Sequence, residues 1–215
     1  MNSESLLVIL EKHVPARAVP YCIQLWTDHP FQFRLRKSRL SKVGDFSCRP
    51  GHSPKITVNA DSHPYLFLIT YVHEVAHLRV HQELGWRAAP HGKEWKRAFR
   101  QLCLPLLHDG AFPPDLRQAL EQHLHNPKAS SFSDAALSKA LRLHDHRLSG
   151  ATTLADIPEG SEFQIRGRWF TKGKEKRTRV VCRDLKSRCN YLIAADAVVG
   201  NPGKSSGNFP NGISH

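Results

Sequence analysis

From Tyr65 to Leu84 the chain carries Tyr65, Leu66, Phe67, Leu68, Ile69, Tyr71, Val72, Val75, Ala76, Leu78 and Val80. At about 100° per residue these positions cover nearly the whole circumference of a helix. A helix that is apolar on almost every side must be surrounded by protein, so the fold has to be built around it. Asp61 or Ser62 is expected to cap it, with Pro64 in its first turn and Gly85 at its stop. The same segment holds His73, Glu74 and His77. Such groups are costly to bury without partners.

The spacing His73-Glu74-Val75-Ala76-His77 offers a resolution. Residues four apart lie one above the other on a helix, so both imidazoles can face one metal ion. Glu74 sits one step round, where its carboxylate can take a proton from a metal-bound water. A zinc site of this kind needs a third protein ligand and keeps the fourth position for water. His81, Glu83, His91, Glu94 and His108 are the candidates. A metzincin is excluded, because Glu83 stands where its third histidine would be and the only methionine is Met1. His81 continues the same helical row and reaches poorly around one ion. His91 is better placed, past the stop at Gly85 and just before the next helix, and Gly92 would let the backbone pass close to the site.

Around this helix the pattern is mixed. Residues 3–13 and a stretch through Tyr21, Ile23, Leu25 and Trp26 read as helices, and Phe31, Phe33 and Leu35 alternate with polar residues as in a half-buried strand. Gly44–Cys48 and Ile56–Val58 read as two more strands, giving a short antiparallel sheet over about 31–59. Further helices are expected through Trp95 to Cys103, from Pro113 to about Leu124, and over Asp134–His146. The expected class is therefore α+β, with a catalytic-type domain over 1–128 and a connecting helix within 129–150. A small antiparallel β module follows over 151–199, and the Gly-, Ser- and Asn-rich 200–215 is expected to be a disordered tail. A length of 215 residues fits one domain plus an appendage.

Composition narrows the setting. No apolar run reaches the roughly 18–20 residues of a membrane span. The N-terminal apolar run is bracketed by Glu4, Glu11 and Lys12 and reads as an amphipathic helix, not a signal peptide. Five scattered cysteines, an odd number, argue against a disulfide framework and for a reducing cytoplasm. Trp86 and Trp95 read as packing residues ahead of lining a substrate groove, since large aromatics usually belong to a core. His13, His29, His52, His63, His123, His125, His144 and His146 show no common ligand geometry and read as surface residues.

The formal charge is +12, which points to a polyanionic partner. Arg166 to Arg188 alone holds ten Lys/Arg against Glu175 and Asp184, with Trp169, Phe170 and Tyr191 in or near it. Cations for phosphates and aromatics for bases would make Arg166, Arg168, Trp169, Lys172, Lys174, Lys176, Arg177 and Arg179 a nucleic-acid surface. A solvated hairpin with a small aromatic core is the competing reading.

Over residues 1–125 the chain resembles the SprT-like metallopeptidases, the family that includes Spartan proteases. The likeness rests on His73-Glu74-x-x-His77, then His91-Gly92-x-x-Trp95. It extends to the strand Lys55–Asn59, Pro64–Thr70 leading into the metal helix, and Gly44-Asp45-Phe46. The resemblance implies one catalytic Zn²⁺ on His73, His77 and His91, Glu74 as general base, and a protein substrate. For Spartan-type members it further implies proteins crosslinked to DNA as substrates and DNA, single-stranded or at a junction, as the activating partner. One departure stands out: many members end in a Cys-rich zinc ribbon, whereas only Cys182 and Cys189 occur here, with no C-x-x-C pair. The alternative reading is a zinc-containing nucleic-acid-binding protein with little or no peptidase activity.

Overall fold

The computed structural model describes residues 3–37, 39, 42–128, 134–145, 151–165, 167–176, 179–195 and 197–200. The chain divides into two compact units, Met1–Leu141 and Arg142–His215. It is a mixed α+β protein with six helices and two small sheets among the described residues. No helix among them is long and apolar enough to cross a membrane.

The first unit begins with α1 (Ser3–His13) and α2 (Val19–Asp28), followed by strands β1 (Gln32–Arg36), β2 (Gly44–Ser47) and β3 (Lys55–Asn59). The strand order is β1-β3-β2. β2 pairs antiparallel with β3, but β1 pairs parallel with it, Phe33 opposite Ile56 and Leu35 opposite Val58. The sheet is thus mixed and not the antiparallel one expected. Alternation reveals which residues face a core, and it is blind to strand direction and order. β3 is central because Ile56–Asn59 is buried throughout, whereas Gln32, Arg34 and Arg36 of β1 are exposed.

Helix α3 (Pro64–Leu84) runs through this unit, with its sides buried from Phe67 to Val80. Tyr71 is fully buried and its hydroxyl donates to the carbonyl of Cys22 on α2, so burial leaves no unpaired phenol. His63, not Asp61 or Ser62, caps the helix: its ring nitrogen accepts from the Tyr65 N–H, with Pro64 following at the first helical position. Gly85 ends the helix at φ +62°, a backbone region that favours glycine.

Three more helices close the unit: α4 (Lys93–His108), α5 (Pro114–His125) and α6 (Ala135–His144). Leu137, Ala140 and Leu141 of α6 join the same core as Leu6, Phe67 and Trp95. The expected connecting helix is therefore partly a core element. Residues 129–133 and 146–150 of that expected segment lie outside the described residues.

The second unit is a four-stranded antiparallel sheet of β4 (Glu162–Ile165), β5 (Arg168–Lys176), β6 (Arg179–Asp184) and β7 (Asn190–Ala194), in sequential order. Leu154, Ile157, Phe163, Phe170, Val180, Cys182 and Val199 form its own small core. Gly200 bridges to Gln164, and the rest of the expected tail lies outside the described residues.

Candidate metal centre

His73 and His77 project from α3 one turn apart, as the spacing requires. His91 comes from the connection between α3 and α4. Ala89-Pro90-His91-Gly92 closes on itself through a Gly92 N–H to Ala89 carbonyl bond of 2.9 Å. Proline in the second position suits such a turn, and its third position takes positive φ. His91 has φ +59°, unusual for a residue with a side chain. Backbone strain of this kind concentrates at functional sites. Gly92 serves the turn more than the site, because a methyl group there would lie 3.0 Å from the Ala89 carbonyl oxygen.

The three Nε2 atoms converge. They are separated by 3.2 Å (His73–His77), 3.1 Å (His73–His91) and 3.0 Å (His77–His91). Among the described residues this is the group of three or more ligand side chains close enough to hold a metal ion. Burial holds the imidazoles in their neutral, ligating form. The pKa of His73 lies well below its usual value, through burial and then the neighbouring His77 and His91. That of His77 falls to about 4 for the same two reasons, and burial lowers that of His91.

Trp95 forms the floor beneath all three. It is 1% exposed, and its ring centroid lies 4.6, 5.4 and 4.7 Å from those of His73, His77 and His91. Its packing role is as expected. Trp86 differs: it is 68% exposed, resting on His81 at 4.3 Å and near Phe46 at 6.1 Å.

Glu74 is buried at 6% exposure. Burial, and next the Asp45 carboxylate, push its pKa up to about 8. Against this act a hydrogen bond from the Phe46 backbone N–H and the charges of Arg39 and Lys42. Lys42 is itself paired with Asp45 at 2.5 Å, and the Arg39 Nε donates to Asn59 at 2.9 Å. Glu74 thus carries a buried carboxylate one position after His73 in the chain.

Sequence reasoning missed His123. It is 3% exposed rather than superficial, and its Nδ1 lies 3.0 Å from Asp134 Oδ2. The signal was available: on α5 His123 falls in step with Leu116 and Leu120 on the buried face.

The basic segment of the second unit is rearranged by its fold. Lys172 is 6% exposed, and its ammonium donates to the carbonyls of Ile157 at 2.6 Å and Ala155 at 3.3 Å. It is a structural staple and leaves the expected nucleic-acid surface. Arg168 binds Asp184 through Nε (3.0 Å) and Nη2 (2.7 Å) and stacks over Phe170 and Tyr191. Trp169 and Tyr191 face opposite sides of the sheet, since Phe170 and Cys182, the cross-strand partner of Tyr191, are buried on one side. The other side presents Trp169, Lys176, Arg179 and Arg183. Lys174 is exposed near the β5 bulge, while Arg166 and Arg177 lie outside the described residues.

Comparison with family models, with curated proteins and with solved structures finds no match for this chain.

Proposed function

We propose that the chain is a zinc-dependent endopeptidase of SprT type acting on DNA-associated or DNA-crosslinked proteins. The observation that carries this reading is the convergence of the three Nε2 atoms to 3.0–3.2 Å of one another, next in sequence to a buried carboxylate. Tetrahedral zinc with bonds of about 2.0–2.1 Å separates its nitrogen ligands by roughly 3.3–3.4 Å. The histidine triangle fits that spacing to within a few tenths of an ångström. Zinc is thus the metal of this reading, held by His73, His77 and His91. Bound there, it would supply a water acidified toward neutrality and a polarised substrate carbonyl.

The chain's own residues do the rest. Glu74 accepts the proton of the attacking water and delivers it to the departing amine. Trp95 fixes the three imidazoles from beneath. β2 is an edge strand, and the carboxylate of Glu74 lies against it, so an extended peptide added to that edge would run beside the base.

A second reading, a zinc-containing nucleic-acid-binding protein with little peptidase activity, draws on one observation. One face of the β4–β7 sheet carries Trp169 with Lys176, Arg179 and Arg183, the combination that stacks bases and holds phosphates. In the peptidase reading that face recruits DNA.

The deciding experiment measures cleavage of protamine, an unfolded basic protein, by wild type and Glu74→Gln, with and without single-stranded DNA. Metal content is determined on the same samples. Cleavage that needs Glu74, with one zinc per chain, supports the peptidase. One zinc and DNA binding without Glu74-dependent cleavage favours the second reading. Absence of zinc sinks both.

A further inference from the structure

We infer that Gly44 is a positioning residue for Glu74: its missing side chain leaves the space in which the carboxylate is held against β2. The inference rests on the peptidase reading. A methyl group at Gly44 would lie 2.5 Å from Glu74 Oε1, 3.0 Å from Glu74 Cγ and 2.5 Å from Thr70 Cγ2. Neither neighbour has an easy retreat. Thr70 is 7% exposed and its rotamer is tied by a 2.7 Å bond from Oγ1 to the Leu66 carbonyl. Glu74 is 6% exposed, so an oxygen driven from this place must find another within packed protein.

The strand's register shows why Gly44 is the residue that meets this carboxylate. Phe46 faces Ile56 and Gly44 faces Val58, while the Asn59 N–H takes the carbonyl of Val43. In an antiparallel pair, residues alternate between bonding the partner strand and pointing away from it. Val43, Asp45 and Ser47 therefore turn their backbone groups to β3, and Gly44 and Phe46 turn theirs to the free edge of the sheet. Close approach, allowed by glycine, seats the Glu74 carboxylate against this strand. Gly44 has no positive φ, so space and not backbone conformation demands glycine here.

The test is a double-mutant cycle on the zinc-loaded full chain, with protamine as substrate. Gly44→Ala should keep one zinc per chain and lower kcat about 100-fold, the loss typical of a reacting group misplaced by about 1 Å. Glu74→Asp, one methylene shorter, should cost much less in the Gly44→Ala background than alone, because it withdraws the carboxylate from the added methyl. A Gly44→Ala rate within twofold of wild type, or fully additive losses, overturns the inference. An activity-free measurement stands beside it. In NMR spectra the Gly44 amide and Hα signals should move in Glu74→Ala, because the carboxylate lies against this residue; unchanged shifts overturn the contact even if Gly44→Ala does not fold. A wild type without Glu74-dependent cleavage overturns the peptidase reading instead, and with it any catalytic meaning of the contact.

Discussion

His77 and His91 bring their Nε2 atoms to 3.0 Å although 14 positions separate them in the chain. One rides a buried helix and the other a turn held at φ +59°. Neither residue alone has a reason to be there. Together with His73 they leave three nitrogen atoms facing one point, an arrangement that a cation stabilises and that neutral imidazoles on their own do not.

Removing the metal should therefore loosen the α3–α4 connection. The melting temperature is expected to rise with added zinc and fall on chelation, because a ligand bound only by the folded state stabilises it by mass action. His91→Ala should abolish that zinc-dependent shift while leaving α3 helical. Calorimetry with and without chelator, alongside circular dichroism, checks both. An equal zinc shift in His91→Ala would remove His91 from the site.

The buried carboxylate makes the metal-free protein less stable at high pH. The pKa of Glu74 is raised from 4.5 to about 8, so its contribution is full below 4.5 and is lost as pH rises through 8. Glu74→Gln should accordingly melt higher than wild type at pH 9, with the difference shrinking toward pH 5. The expected pattern is a more stable but inactive variant. Melting curves of chelated wild type and Glu74→Gln across that range decide it.

Histidine burial acts in the opposite direction. The pKa of His77 is depressed from 6.5 to about 4, and that of His73 is also lowered. The folded state thus binds fewer protons than the unfolded one below pH 6.5, and stability falls progressively from there toward pH 4. In the Glu74→Gln background, where the opposing carboxylate is gone, the chelated protein should lose melting temperature steadily across this window. A flat profile would contradict the burial of these rings.

Two cations of the β module should respond differently. Arg183→Ala removes an exposed charge beside Trp169 and should weaken single-stranded DNA binding, with a shallower salt dependence. Lys172→Ala leaves the buried carbonyl of Ile157 without its donor, at about 1–3 kcal/mol. Its effect should appear in the melting of the full chain. Binding measured at several salt concentrations separates the two; equal effects of both on the salt slope would refute the assignment.

Helix α3, its stop at Gly85 and most of its buried faces are legible because they are local. An all-round apolar segment reads as a central helix, and a four-residue spacing reads as a shared face. That is why α3 and the pairing of His73 with His77 follow from the residues alone. His91 could be favoured by its place after Gly85, since chain reversal there brings the following residues back along α3. His63 displaced the expected Asp61 or Ser62 cap because the nearest side-chain acceptor to the Tyr65 N–H belongs to the residue just before Pro64.

What the tertiary structure alone decided depends on partners distant in sequence. The parallel pairing of β1 with β3, the contact of Gly44 with Glu74 and the bond of His123 to Asp134 each join segments that no local period links. The β module makes the same point with charge. Sequence counts its lysines and arginines, but strand alternation and the 155–157 loop bury Lys172 and tie Arg168 to Asp184. Residue chemistry set the candidate ligands, the candidate base and the central helix; chain packing set which of the other polar groups meet each other and which meet solvent.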